Sequence, residues 1–193
     1  MKKKLVIVVL AVLFIGCKEE KTKDKVHNHI ENKEEPAEPA KKKPLSPHTS
    51  TMAMVGDAHI HIDYSSPGVR GRIVFGGLLP YNEVWQSGAH MATWIETNKD
   101  LKINGQLLPV GKYGFFTIPS NDEWTIIFNS NWNQHGKDDY DERNDILRFK
   151  VKPETLEEIT EHLEYKVNAV SKNEGAVSMA WEKISISFNF KVN

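Results

Sequence analysis

The chain has one cysteine, Cys17, in 193 residues, so no intramolecular disulfide and no CxxC metal or redox pair is available. It also lacks an excess of either charge. Lys and Arg total 25 against 26 Asp and Glu, for a net charge of -1, and no global field favours nucleic acid or an anionic surface. No apolar run reaches the length of a membrane-spanning helix. The longest, Leu5 to Ile15, extends about 17 Å as a helix against a hydrocarbon core of about 30 Å. A G-x-S-x-G elbow, an HExxH helix and a phosphate-cradling glycine loop are absent. The glycines at Gly68, Gly71, Gly76 and Gly77 read as turn glycines, because no helix follows to offer its N-terminus. Nothing here names a reaction, and enzyme status is left open.

What is present begins with an export signal. Three lysines in Met1 to Lys4 precede the apolar run, and Phe14-Ile15-Gly16-Cys17 closes it. That quartet resembles a bacterial lipobox, with Phe14 where Leu is usual. The resemblance implies cleavage before Cys17 and acylation of its sulfur, a palmitate-type anchor in the bacterial cell envelope, facing the periplasm or the surface. From Lys18 to Pro44, fifteen of twenty-seven residues are charged, and Val26 and Ile30 are the only large apolar side chains. Such a segment cannot bury enough surface to fold and reads as a tether. The expected organisation is a signal peptide over 1–16, a lipid-anchored tether over 17–44 and one domain over 45–193.

The domain reads as all-β. Asp57 to Tyr64 alternates, with Ile60, Ile62 and Tyr64 on one face and His59, His61 and Asp63 on the other. Further β-prone runs span Met91–Thr97, Asp100–Ile103, Gln106–Leu108, Lys112–Pro119, Trp124–Asn129 and Asp145–Lys152. Asn104-Gly105 predicts a type I′ hairpin pairing Lys102-Ile103 with Gln106-Leu107. Pro80–Trp85 reads as a single helical turn and Asn131–Asn144 as a long surface loop. Pro153–His162 reads as a helix, with acids in its early turns and Leu156 and Ile159 inward. The chain ends in strands at Leu163–Val170, Ala176–Glu182 and Ile184–Val192. About nine strands and one short helix predict an antiparallel β-sandwich or a jelly-roll-like barrel.

Four separated motifs carry a family resemblance. They are Tyr64-Ser65-Ser66-Pro67-Gly68-Val69-Arg70-Gly71-Arg72, Phe75-Gly76-Gly77-Leu78-Leu79-Pro80-Tyr81, Val84-Trp85-Gln86-Ser87-Gly88-Ala89-His90, and Gly111-Lys112-Tyr113-Gly114-Phe115-Phe116-Thr117-Ile118-Pro119. In this order they resemble the bacterial domain of unknown function 2911 family, over roughly Leu45 to Asn193. The resemblance implies a secreted or lipid-anchored β-rich protein and assigns no reaction. Position 90 is often Asn in that family; this chain carries His90.

Two constellations could carry chemistry. His59 and His61, two apart on a strand, project from one face, where two imidazoles can share a metal. With His90, His48 or His135 as further ligands, zinc, or a non-haem iron or manganese ion, would suit the donors. Against this stands the plain reading of a polar outer face. The second constellation is a cleft built from Arg70, Arg72, Trp85, His90, His135 and Asp139, suited to a small anionic or sugar-like ligand. Its plain alternative is that the arginines pair with acids and Trp85 fills core. The function expected is therefore ligand or envelope-partner binding, with a metal-dependent hydrolase as the alternative.

Overall fold

The computed structural model describes residues 44–193; the signal peptide, Cys17 and nearly all of the tether lie outside the described residues. Ten antiparallel strands form two sheets. The larger has the order β1-β2-β3-β6-β7-β8, from β1 (His48–Val55), β2 (Ala58–Ser65), β3 (Trp94–Thr97), β6 (Gly111–Ile118), β7 (Trp124–Asn129) and β8 (Asp145–Val151). The smaller has the order β5-β4-β10-β9, from β4 (Leu101–Ile103), β5 (Gln106–Leu108), β9 (Glu154–Ala169) and β10 (Glu174–Val192). The sheets remain separate, so the fold is a sandwich and the barrel alternative is set aside.

Alternation builds the core. On β2, Ile60, Ile62 and Tyr64 are buried while His59, His61 and Asp63 are half-buried on the outer face. Ile95, Phe115, Phe128, Leu147 and Phe149 of the larger sheet meet Tyr165, Met179, Trp181, Ile186, Phe188 and Phe190 of the smaller. Each such side chain contributes about 1.5–3 kcal/mol by leaving water. The next residue, Phe116, points the opposite way and packs with Ala92 and Ile127 beneath the 130–145 loop. The centre of the larger sheet is thus covered on both faces.

The Asn104-Gly105 hairpin forms as expected. Ile103 faces Gln106, Lys102 faces Leu107, and both turn residues have positive φ, 48° and 81°. A two-residue turn at Gly56-Asp57, where only Gly56 has a positive φ, 59°, joins β1 to β2, with Val55 opposite Ala58. β1 was not among the strands read from sequence.

Two expected helical segments are corrected. Pro153–His162 is not a helix; Glu154–Ala169 is one long strand, and the only helical turn among the described residues is a three-residue 3-10 turn at Glu142–Asn144. Leu163, Tyr165 and Val167 are buried at period two, and Val167, Tyr165 and Glu164 pair with Val177, Met179 and Ala180. Cross-strand pairing here overrides the helix preference of Glu and Leu. Pro80–Trp85 is irregular, with Asn82 at φ 63°, and Trp85 exchanges both backbone bonds with Thr117 at 2.8 and 2.9 Å.

β10 gives the smaller sheet its shape. Nineteen extended residues would separate the strand ends by roughly 60 Å. Instead Val192 N–H donates to the Asn173 carbonyl at 2.8 Å. The bend falls at Glu182, whose φ is 56° and where the β9 pairing shifts register on both sides. Such a bulge turns a strand while keeping its flanks paired.

A buried polar knot ties the sheets together. Tyr165 Oη donates to the Ser87 carbonyl at 2.7 Å, Thr93 Oγ1 donates to the same oxygen at 2.9 Å, and Ser87 Oγ donates to Thr117 Oγ1 at 3.0 Å. Burial pushes the phenols of Tyr64, Tyr113, Tyr140 and Tyr165 above their ordinary value, Tyr165 most completely enclosed. Below pH 10 both folded and unfolded chains hold these protons and stability is full; above about pH 10 the unfolded chain releases them first, and stability falls. Tyr165 alone contributes a loss of about 1.4 kcal/mol per pH unit in that range. Urea midpoints measured from pH 8 to 11 should drop only beyond pH 10, with the Tyr165 tyrosinate appearing together with unfolding. Tyrosinate formed at Tyr165 in the folded protein near pH 10 would contradict this enclosure.

Candidate functional site

The sequence-derived cleft residues fall into three places. Arg70 and Arg72 lie on a loop that runs beside β9 through a bridge between Gly68 and His162. Arg72 is folded back on that loop, donating from Nε to the Val69 carbonyl at 3.0 Å and from Nη2 to the Gly68 carbonyl at 2.7 Å. Arg70 is exposed with φ 51°, and its N–H donates to Glu161 Oε1 at 2.9 Å. Trp85 is in the core, 4% exposed, with Nε1 donating to the Gly88 carbonyl at 3.0 Å and its ring stacked on Trp181. It offers no platform to solvent.

His90 and His135 do come together along the backbone. Gly136 N–H donates to the His90 carbonyl at 2.7 Å, and Met91 bridges His135. Both imidazoles are exposed, and His135 Nδ1 lies 3.1 Å from Asp138 Oδ2. Asp139 belongs to the same excursion, its N–H donating to Gln134 Oε1 and its carboxylate exposed. His59 and His61 lie elsewhere, on the outer face of β2, their ring centroids 6.2 Å apart. Among the described residues no three His, Cys, Asp or Glu side chains converge as metal ligands, so the four histidines do not form one set.

That outer face has its own structure. The His61 ring stands 4.9 Å from Trp94 at 81°, and Lys112 Nζ sits 3.3 Å from the Trp94 centroid and 3.8 Å from that of Trp132. An ammonium this close to two indole faces is held by their quadrupoles. It fixes both rings and places a positive charge two strands across from His61.

A second feature was not legible in the sequence. A cleft of about 620 Å³ opens between the end of β8, the β4–β5 turn and the last part of β10. Phe149, Phe188 and Phe190, none more than 9% exposed, line it on the core side, and Lys102, Lys150 and Lys191, each next to a buried residue on its strand, line its outer rim. The Phe149 and Phe188 rings meet edge to face at 5.3 Å. Lys102 and Lys191 are direct cross-strand partners, a like-charge juxtaposition that costs a sheet stability. Glu174 relieves part of it by reaching Lys191 at 2.6 Å, and Lys150 lies 3.6 Å from Glu123. Lys102 has no carboxylate partner among the described residues. The volume is that of an ordinary small-molecule site, apolar below and cationic at the rim. No spacing in the sequence announces it, because its lining comes from β4, the β4–β5 turn, β8 and β10, which only the fold brings together.

No curated protein and no solved structure matches the chain. A family model does match, described as "Protein of unknown function (DUF2911)", over residues 46–190, which takes in all ten strands but for the last two residues of β10. With most of its length covered, and with the four sequence motifs lying within the matched span, the chain belongs to the DUF2911 family.

Proposed function

We propose that the protein is a binding module of the bacterial cell envelope, held to a membrane by acylated Cys17 and taking up a small amphipathic anion in the cleft between β8 and β10. The signal-like start, the Gly16-Cys17 junction and the charged tether support the address. The observation that carries the ligand class is the juxtaposition of three phenylalanines on the core side with the opposed lysines Lys102 and Lys191. An alkyl carboxylate would reach both: its chain enters at the edge of the core beside these rings, and its head group stays at the rim within reach of the lysine ammonium groups. Burying each methylene adds about 0.8 kcal/mol, so affinity should climb with chain length until the cleft is full.

The test is calorimetric titration of the full chain with octanoate and dodecanoate. Dodecanoate should bind at one equivalent and more tightly than octanoate. Lys102→Glu, an exposed change that leaves the phenylalanines intact, should weaken dodecanoate at least tenfold. Unsaturable uptake, or equal affinity in wild type and Lys102→Glu, would retire the reading.

A further inference from the structure

We propose that the outer face of the β1–β2 hairpin is a soft-metal site, binding Cu(I) through the thioethers of Met52 and Met54 and the imidazoles of His59 and His61. The register makes the case. Met52 lies directly opposite His61, and Met54 directly opposite His59. Side chains two apart on a strand share a face, so Met-Ala-Met on one strand and His-Ile-His on the next place four donors on one patch. Directly opposed residues have Cβ atoms about 4.5–5.5 Å apart, and methionine's three rotatable bonds let its sulfur adjust to a shared centre.

Two further observations point to a ligand. Met52 and Met54 are 57% and 55% exposed, so core packing does not account for large apolar side chains at these positions. Their neighbours on the same face are His48 and Ser50, a polar row. Secondly, His61 Nε2 is buried and has no hydrogen-bond partner, with its ring against Trp94. A buried imidazole nitrogen without a partner is costly, and a site that holds the ring for another purpose accounts for it. His59 and His61 alone are two donors. The thioethers bring the count to four.

The donors choose the metal. Thioether sulfur is soft and selects monovalent copper or silver, imidazole suits copper, and hard divalent ions prefer carboxylate oxygen. Glu96 does lie opposite His61 on β3, but Lys112 lies opposite Glu96 on β6 and balances its charge. The ammonium over Trp94 and Trp132 further disfavours a dication here. The site is separate from the cleft between β8 and β10, so the fate of the alkyl carboxylate has no bearing on it.

The experiment uses the full chain carrying Cys17→Ser, which removes the only thiol, with Ag(I) as a redox-inert probe and Cu(I) in competition with a chromophoric chelator. One equivalent of each should bind, and the methyl resonances of Met52 and Met54 should shift while that of buried Met179 stays. Met52→Leu with Met54→Leu should weaken Cu(I) at least a hundredfold while the urea midpoint holds, since both positions are exposed. His59→Gln with His61→Gln should weaken it comparably. Cu(I) affinity unchanged in the double leucine variant would overturn the proposal, as would Ag(I) that shifts neither methyl group. Zn(II) binding at the same residues as tightly as Cu(I) would overturn the choice of metal.

Discussion

Gly175→Val is expected to cost more than about 3 kcal/mol and to leave little folded protein at 37 °C. Gly175 is buried at the start of β10, paired with Ala169 of β9. A Cβ added there would overlap Phe190 Cζ and come within 2.9 Å of Val55 Cγ2. Those two atoms belong to the far end of β10 and to β1, so one side chain would push on both sheets. The bend that returns Val192 to Asn173 leaves no slack, because the two arms of β10 meet at this point. Gly105→Ala is the control. Its φ is 81° with nothing within 4 Å, so only the left-handed conformation is penalised, at about 1–2 kcal/mol. Phe190→Leu should recover part of the loss in Gly175→Ala by shortening the ring that is struck. Equal urea midpoints for Gly175→Ala and Gly105→Ala would show that the contact is not rigid.

The next largest effect concerns Trp181. It is 1% exposed, stacked on Trp85 at 5.7 Å and 25°, with Phe75 edge-on at 6.0 Å. Trp181→Ala should cost about 3–5 kcal/mol, from lost burial and the cavity left behind. Trp181→Phe should be far milder than the volume change suggests. The indole Nε1 is buried without a hydrogen-bond partner, and removing it relieves a penalty of about 1–3 kcal/mol. Trp85→Phe provides the contrast, because Trp85 Nε1 donates to the Gly88 carbonyl and its loss orphans that acceptor. Chemical denaturation should therefore rank Trp85→Phe below Trp181→Phe. The opposite order would mean that the Trp181 nitrogen has found a partner in solution.

These two sites also show what the residues disclosed and what they withheld. The strands with strong contrast between faces were legible: β2, with isoleucines alternating with histidines, β8, and the final stretch of β10. Asn-Gly fixed the β4–β5 hairpin, since few other dipeptides accept two positive φ angles. β1 is not legible, because Thr49, Thr51 and Ala53 on its inward face differ little in polarity from a loop. With β1 unassigned, Met52 and Met54 could not be placed beside His61 and His59, although the same-face reading of the two histidines was sound. β9 misled because Glu154 to His162 is largely exposed and rich in helix formers; its pairing with β10 is long-range and leaves no local mark. The two readings offered for Trp85 divide in favour of the core. The β8–β10 cleft lies beyond any local pattern, since three of its walls come from segments more than twenty residues apart.

The position of β10 also sets a schedule for assembly. It is the inner strand that joins β4 to β9, and its last paired residue, Val192, faces Leu101. A chain emerging N-terminus first can begin the hairpin of β1 and β2 early, yet the smaller sheet has no centre until residue 192 has appeared. The six strands of the larger sheet, complete by Val151, can therefore pair first, and the smaller sheet waits for the return arm of β10.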